Sequence, residues 1–448
     1  MSSPTRLIVA QRPSEPLEPV CARLVESGCE LYACTSHAQA IATLRQEAVE
    51  IVLIDAWIEG GMALLTQIKS DPRTRHLPVV IAAPDDGPAV GSHALALGAD
   101  DVLVLPVEDA ELFARIWALA RLAAMEVERR RRDAVLSEFG IAPPPEMPGV
   151  PAIDRIGILL IGPAGGDQIQ VMTALGGAAT AAYAETAESA LERLRRDDLD
   201  VALITGGRDH EDLQRLCAAI RSDIALFDLP VLLVGRPDAF PDRTLPFHWG
   251  VSDVLFQPFQ PEVLRLRVQG WVRQQRLRRR LRGCLDGAQP PPTTDRLTRL
   301  FGHGFLHGYV EHLIAQNLRT QTPLAVASFD VAGMGQINRA YGYAVGDRVL
   351  AQVGAMIARI SRAEDLPARL RDDRFCLVID GASAAEAASA GLRIAEILTA
   401  LPVQTGGGHA LHLAMMTGIA ELAPGDDAAA LIARAFERMA PVGLRQAS

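Results

Sequence analysis

Four short apolar runs recur twice, in the same order, through the first 260 or so positions. In the first series they are RLIVA (6–10), EIVLID (50–55), PVVIAA (78–83) and DDVLVLP (100–106). In the second they are RIGILLIGP (155–163), DVALIT (200–205), PVLLVG (230–235) and DVLFQP (253–258). Helix-period segments lie between the runs. A continuous apolar run with no polar alternation is buried on both faces, which calls for a parallel sheet covered by helices. The sequence therefore predicts two tandem, doubly wound α/β domains. A repeat this long is a duplicated domain and not a solenoid unit.

Two proline-rich stretches, APPPEMPGVPAID (142–154) and GAQPPPTT (287–294), cannot continue a helix and favour extended conformations. They set expected domains at 1–140, 154–284 and 295–448, in keeping with about three domains for this length. The net charge of -10 excludes a general nucleic-acid coat, so no nucleic-acid partner is expected. Lys69 is the single lysine, so any lysine-dependent chemistry has one candidate. Cys21, Cys29, Cys34, Cys217, Cys284 and Cys376 form no CxxC pair and have no histidine at zinc spacing. They read as reduced thiols of a cytosolic protein, and no metal site is expected. No apolar stretch approaches about 18 residues, and MSSPTRLIVAQRP lacks the charged and apolar segments of a secretory leader. A cytoplasmic chain without membrane insertion is expected.

Each of the first two blocks closes with a long arginine-studded helix, at 111–139 and 261–283. The arginine runs read as solvated helix leading into a linker. Leu264, Val268, Trp271 and Leu277 lie near one helical face. That strip suggests packing against a neighbouring domain or a partner subunit, and a homodimer is expected.

The repeated strand pattern resembles the receiver domains of response regulators. The resemblance implies an acidic pair after strand one for Mg²⁺, an Asp ending strand three as phosphoacceptor, a Thr or Ser ending strand four, and Lys-Pro after strand five. Asp55 stands at the acceptor position of the first block. Ala10-Gln11 replace the acidic pair, Ala83 the Thr and Leu105-Pro106 the Lys-Pro. In the second block Thr205 replaces the acceptor, Gly162-Pro163 the pair, Gly235 the Thr and Gln257 the Lys. A Mg²⁺ site is poorly built without two carboxylates. A receiver fold without this chemistry still offers a docking surface.

The third block reads DRLTRLFGHGFL (295–306), SFDVAGMGQINRAYGYAVGDRVLAQVGAMIARI (328–360), SRAEDLPARLRDDRFCLVID (361–380) and MMTGIAEL (415–422). It resembles the GGDEF family of diguanylate cyclases, an α/β fold with a central sheet flanked by helices. On that resemblance Asp330 is the first metal acid, and Asn338 and Asp347 read guanine. Ala332 stands in place of a second Asp, and Gly335 in place of a phosphate-binding Lys. The GGDEF run itself reads Arg371-Asp372-Asp373-Arg374-Phe375. Asp373 keeps the third-position acid, both glycines are gone, and Arg374 reverses the charge of the Glu. A glycine hairpin admits close approach of a nucleotide, which Arg371 obstructs. A cation beside the metal position disfavours Mg²⁺. No catalytic residue and no catalytic cofactor are therefore expected.

Arg362 and Asp365 form an RxxD five residues before the altered hairpin. In the cyclase family this motif is the inhibitory site for cyclic di-GMP. An arginine fork suits guanine O6 and N7, and a carboxylate can accept from guanine N1 and N2. Arg393 is a candidate second arginine. The order receiver, receiver, altered GGDEF resembles the PleD-type response regulators, and within them a PopA-like, cyclase-dead branch. That resemblance implies a cyclic di-GMP effector at the cell pole. It implies recruitment of an adaptor such as RcdA into the ClpXP protease pathway for regulated proteolysis of a cell-cycle regulator. Two alternatives stand beside it: a phosphorylation-dependent scaffold acting through Asp55, and a low-activity diguanylate cyclase.

Overall fold

A computed structural model of the chain describes residues 5–14, 17–84, 88–142, 155–206, 210–223, 225–240, 242–282, 293–404 and 410–442. Most of both proline-rich stretches, and Cys284, lie outside the described residues. The first series of apolar runs forms β1 (Arg6–Ala10), β2 (Glu30–Cys34), β3 (Ile51–Asp55), β4 (Val79–Pro84) and β5 (Asp101–Leu105). All pairings are parallel, in the order β2-β1-β3-β4-β5. The helices are α1 (Glu18–Glu26), α2 (His37–Gln46), α3 (Gly61–Ser70), α4 (Pro88–Ala96) and α5 (Asp109–Glu138).

The second series repeats this plan. Its strands are β6 (Ile156–Ile161), β7 (Ala179–Ala184), β8 (Val201–Thr205), β9 (Val231–Gly235) and β10 (Asp253–Phe256). Their order, β10-β9-β8-β6-β7, is the first sheet's order read from the other edge. The helices are α6 (Gly166–Leu175), α7 (Ala187–Arg196), α8 (His210–Ser222), α9 (Leu245–His248) and α10 (Pro261–Arg282). Every residue of β3 and of β8 is buried, as expected for central strands of a doubly covered sheet. Asp55 and Thr205 end these strands, at the carboxyl edge where ligands bind in such folds.

The third domain is antiparallel. Its strands are β11 (Leu324–Ala332), β12 (Leu366–Arg371), β13 (Arg374–Asp380), β14 (Val403–Gln404), β15 (Ala410–Leu411), β16 (Ala414–Glu421) and β17 (Ala440–Pro441). The main sheet runs β12-β13-β11-β16-β17. Helices α11 (His303–Thr320), α12 (Met334–Tyr341), α13 (Tyr343–Ile360), α14 (Ala384–Ala400) and α15 (Ala428–Glu437) cover it. Along β11, Ala325, Ala327, Phe329 and Val331 enter one core, and Leu324 and Val326 enter the other. That alternation is the period of a strand buried on both faces.

Packing divides the chain into two compact bodies. One holds the two receiver-like domains. The other holds the third domain together with α5 from Glu128 and α10 from Arg278. The ends of both long helices thus group with the third domain, earlier in the chain than the boundaries at 140 and 284 expected from the prolines. Val135 and Leu136 are part of the third domain's core. The arginine run of α5 is not solvated, contrary to the sequence reading. The side chains of Arg129, Arg131 and Arg132 are 11%, 8% and 2% exposed, each beside a carboxylate.

Within the receiver body the two domains share side chains. Leu266 of α10 packs against the first domain's core. Gln274 Nε2 donates to Ala118 O at 2.8 Å, and Ser92 Oγ to Gln260 Oε1 at 2.9 Å. The expected apolar strip on α10 is not a free face. Leu264 and Val268 are buried in the core of their own domain, with Trp271 packed against it. Leu264→Ala is therefore expected to cost about 2–5 kcal/mol in a urea melt. An unchanged melt with a changed mass by light scattering would instead mark this face as a subunit interface.

Candidate functional site

The chain leaves α13 at Ser361 and enters β12 at Leu366, and the turn between them carries Arg362 and Asp365. Arg362 is exposed. Asp365 is only 7% exposed. Its Oδ2 accepts from the Arg362 amide at 2.9 Å, and its own amide donates to Arg362 O at 3.3 Å. The carboxylate thus reaches back three residues and closes the turn on itself. Burial, and then the nearby Glu364 charge, push its carboxyl up to about 7, against the bond from Arg362.

The carbonyls of this turn are held from outside it. Arg132 Nη2 donates to Ala363 O at 3.2 Å and to Asp365 O at 2.9 Å. Arg282 Nη2 donates to Ser361 O at 3.3 Å. Arg132 and Arg282 are the side chains that sequence reading missed. Their signal was the pair of arginine runs, read there as solvated. Arg393 lies exposed on α14, and among the described residues no hydrogen bond or ion pair joins it to Arg362 or Asp365.

The altered hairpin follows directly. Asp372 adopts a φ of 53°, a left-handed conformation that favours glycine and that Asp tolerates better than most residues. Arg369 steadies it, donating from Nη2 to Asp372 O at 2.6 Å and from Nη1 to Asp295 Oδ1 at 2.9 Å. Arg371 and Arg374 are both exposed, and the Arg374 guanidinium lies 5.3 Å from the Phe436 ring centre. Asp330 pairs with Arg374 across β11 and β13. Burial and then the Asp373 charge raise the Asp330 carboxyl, while Arg374 lowers it. The two surviving acids of the hairpin region are thus brought within electrostatic reach of each other.

Asn338 on α12 packs over Gly346 on α13, where an added Cβ would meet its Oδ1 at 1.9 Å. That buried oxygen has no hydrogen-bond partner among the described residues. Asp347, one residue further on, is exposed. The two expected guanine readers therefore share one corner of the domain. Gly335 lies exposed on α12.

In the first receiver-like domain Asp55 is buried, at 2% exposure. Its Oδ2 accepts from Arg12 Nε at 2.6 Å, and its Oδ1 accepts from the Trp57 amide at 3.1 Å. Arg12 follows Ala10-Gln11 directly, so a protein cation holds the carboxylate beside the missing acidic pair. Gln11 turns away and accepts from the Leu17 amide at 3.1 Å. Lys69 is engaged elsewhere, with Asp100 Oδ2 at 2.6 Å and Leu77 O at 2.8 Å. In the second domain Thr205 is fully buried, its Oγ1 close beneath Gly162. Gln257 Nε2 donates to Asp167 Oδ1 at 3.0 Å.

Residues 293–445 match the family described as diguanylate cyclase, GGDEF domain, and residues 17–117 match the response regulator receiver domain. The chain is 28% identical to the response regulator PleD of Caulobacter vibrioides, over 93% of this chain and 92% of that protein. It is 34% identical to the bifunctional diguanylate cyclase/cyclic di-GMP phosphodiesterase MucR of Pseudomonas aeruginosa, over 30% of this chain and 19% of that protein. A solved GGDEF domain of DgcB from Caulobacter crescentus, in complex with c-di-GMP, covers 34% of this chain and 87% of its own, at 21% identity and a TM-score of 0.32. The chain thus combines a receiver domain with a GGDEF domain, and its likeness to PleD runs nearly its full length. Among the described residues no helix is long and apolar enough to cross a membrane.

Two predictions rest on these geometries. Asp55→Asn is expected to destabilise the receiver body by about 1.5–3 kcal/mol, by removing the acceptor charge from a charge-assisted bond. Acetyl phosphate with Mg²⁺ is expected to leave the mass of the wild-type chain unchanged. A stoichiometric adduct by intact-mass spectrometry would show that Arg12 leaves Asp55 available. For Asp365 the carboxyl is raised on folding, so its contribution to stability is complete below about pH 4 and is lost as the pH rises through about 7. Relative to Asp365→Asn, the wild-type chain should lose up to about 4 kcal/mol between those limits. Paired denaturant melts across that range check it, and parallel pH profiles would overturn it.

Proposed function

We propose that this chain is a non-enzymatic cyclic di-GMP effector that binds the dinucleotide at Arg362 and Asp365. The observation that carries the reading is the contrast between two neighbouring turns. The RxxD turn presents an exposed arginine on a backbone held at three carbonyls. The hairpin beyond it carries Arg371, Asp372 and Arg374 where the family has two glycines and a glutamate. Arg362 supplies the guanidinium fork for guanine and for a phosphate of the ligand. Asp365 exchanges its bond to the Arg362 amide for the guanine N1 and N2 donors. Arg393 is the second arginine of this reading, reached from α14.

The residues left for Mg²⁺ do not fit it well. They are Asp330 and Asp373, with Arg374 across the strand pair from Asp330. The Arg374 charge acts on Asp330, lowering its carboxyl, and a cation there opposes the charge that a metal would bring. With no product to make, a bound dinucleotide acts by changing shape or surface. On the PopA-like resemblance, that change recruits an adaptor such as RcdA, and through it the ClpXP protease pathway, at the cell pole and in the cytoplasm. A homodimer belongs to the same reading, although Leu264 and Val268 are not available to form it.

A slow cyclase is the second reading. The mutual effect of Asp330 and Asp373 favours it, as does the corner that pairs Asn338 with Asp347. Incubation with GTP and Mg²⁺ or Mn²⁺ separates the two. The effector reading expects no cyclic di-GMP, and sustained product formation would replace it with the second.

Calorimetry tests the binding site. Arg362→Ala is expected to cost about 1–3 kcal/mol of cyclic di-GMP affinity. Because the ligand takes the ionised form of Asp365, binding should release protons below about pH 7 and strengthen as the pH rises to that value. Wild-type affinity in the Arg362 variant, or a pH-independent affinity, would remove the assignment.

A further inference from the structure

The ligand turn is built around a buried cation that the cyclic di-GMP reading does not use. Arg132 is 2% exposed, although it carries a full charge. Its Nε donates to Glu128 Oε1 one helical turn earlier. Its Nη1 donates to Leu281 O at 2.6 Å, and its Nη2 is shared between Ala363 O and Asp365 O. The guanidinium also lies 5.5 Å from the centre of the Phe301 ring. Glu128, 1% exposed, accepts in addition from Tyr309 Oη at 2.7 Å and from Arg131 Nη1 at 3.1 Å. One guanidinium therefore joins the end of α5, the end of α10 and the RxxD turn.

Apolar contact alone does not call for this arrangement. Val135 and Leu136 already seat the helix end in the core, and Phe139 lies 6.1 Å from Phe305 between ring centres. Burying an ion pair contributes little net stability against well-packed apolar residues, and the return from a satisfied buried pair is a defined geometry. Here the geometry defined is that of two carbonyls in the turn that presents Arg362. Arginine is the side chain that can do this, because its planar fork meets several acceptors at once, whereas a lysine ammonium is a point charge.

We propose that Arg132, set by Glu128, is a positioning residue for cyclic di-GMP. It fixes the RxxD turn in its ligand-receiving shape, so that ligand binding and docking of the helix segment from Glu128 to Phe139 stabilise each other. This rests on the reading that the turn binds the dinucleotide. Reciprocity follows from linkage: whatever the docked helix adds to ligand affinity, the ligand adds to helix docking. A pre-set turn also spares the ligand the ordering cost of the loop.

The test uses the full chain, calorimetry with cyclic di-GMP, and hydrogen exchange read by mass spectrometry. Arg132→Gln and Arg132→Lys are both expected to weaken binding about tenfold while Arg362 stays in place. Lysine should fail to rescue, since it keeps the charge and loses the fork. Glu128→Gln should weaken binding less, and it serves as the second variant if the Arg132 chains fold poorly by circular dichroism. In the unmodified chain, saturating ligand should slow exchange of the amides between 129 and 139, a change that a merely structural arginine would not produce. If the wild-type chain does not bind the dinucleotide, the effector reading fails and this inference falls with it. If it binds while the variants keep wild-type affinity, or while exchange of the helix segment is untouched by ligand, the inference alone is wrong.

Discussion

A guanidinium taken out of water must have its donors met, or it costs several kcal/mol or more. Arg132 meets this demand with one carboxylate and three backbone carbonyls drawn from three separate stretches of chain. Those partners fix what else the third domain can do. The end of α5 must lie where Glu128 can reach Tyr309. The end of α10 must bring Leu281 alongside, and the turn after α13 must face inward with its backbone and outward with Arg362. The exposed arginine thus inherits its position from a buried one.

Arginines also stand near two of the carboxylates singled out from the sequence. Arg12 bonds Asp55 at 2.6 Å in the first domain, and in the third Arg374 stands opposite Asp330 in the β11–β13 register, with no bond between them among the described residues. In each place a carboxylate survives with a protein-borne cation as its neighbour. At Asp55 the tethered guanidinium bonds the carboxylate directly, whereas at Asp330 burial and Asp373 outweigh the effect of Arg374. Both carboxylates lie at or near the end of a strand, Asp55 on β3 and Asp330 on β11.

The alternation of apolar runs and helices was readable because a doubly covered parallel strand has one solution, a continuous apolar stretch. Arg362 was singled out from its spacing to the hairpin, and the structure shows it exposed. The burial of Asp365 was not, since a carboxylate that caps its own turn and one that faces solvent have the same sequence. The arginine runs were misread for a related reason. Overall acidity makes a basic helix look solvated, but what decides burial is whether acceptors lie nearby, and those of Arg132 come from residues 281, 363 and 365. The strip at Leu264 and Val268 was periodic as expected; periodicity reports a buried face without saying which core receives it. Arg12 stood next to the positions inspected for acids, and a cation there was the overlooked sign.

The duplication also brings the same charged pair to both copies of the receiver-like fold. Asp101 ends up beside Arg115, and Asp253 beside Arg267, in each case from the first residue of the last strand to the following helix. Each arginine also donates to the carbonyl of the next strand residue, Val102 at 3.0 Å and Val254 at 3.1 Å. Both copies therefore carry the same motif on the same face, and these faces meet around a cavity of about 60 Å³ lined by Asp101, Arg115, Asp253 and Arg267. Burial opposes the charge on Arg115, but Asp101, Glu111 and then Asp253 from the other copy outweigh it and hold the guanidinium firmly protonated. Each arginine arrives with its own aspartate, so the two like charges lining this cavity are each paired. Arg273, reaching Asp100 and Glu126, adds a further tie from the second copy to the first. The last helices of the two copies are joined directly, Gln274 Nε2 donating to Ala118 O at 2.8 Å.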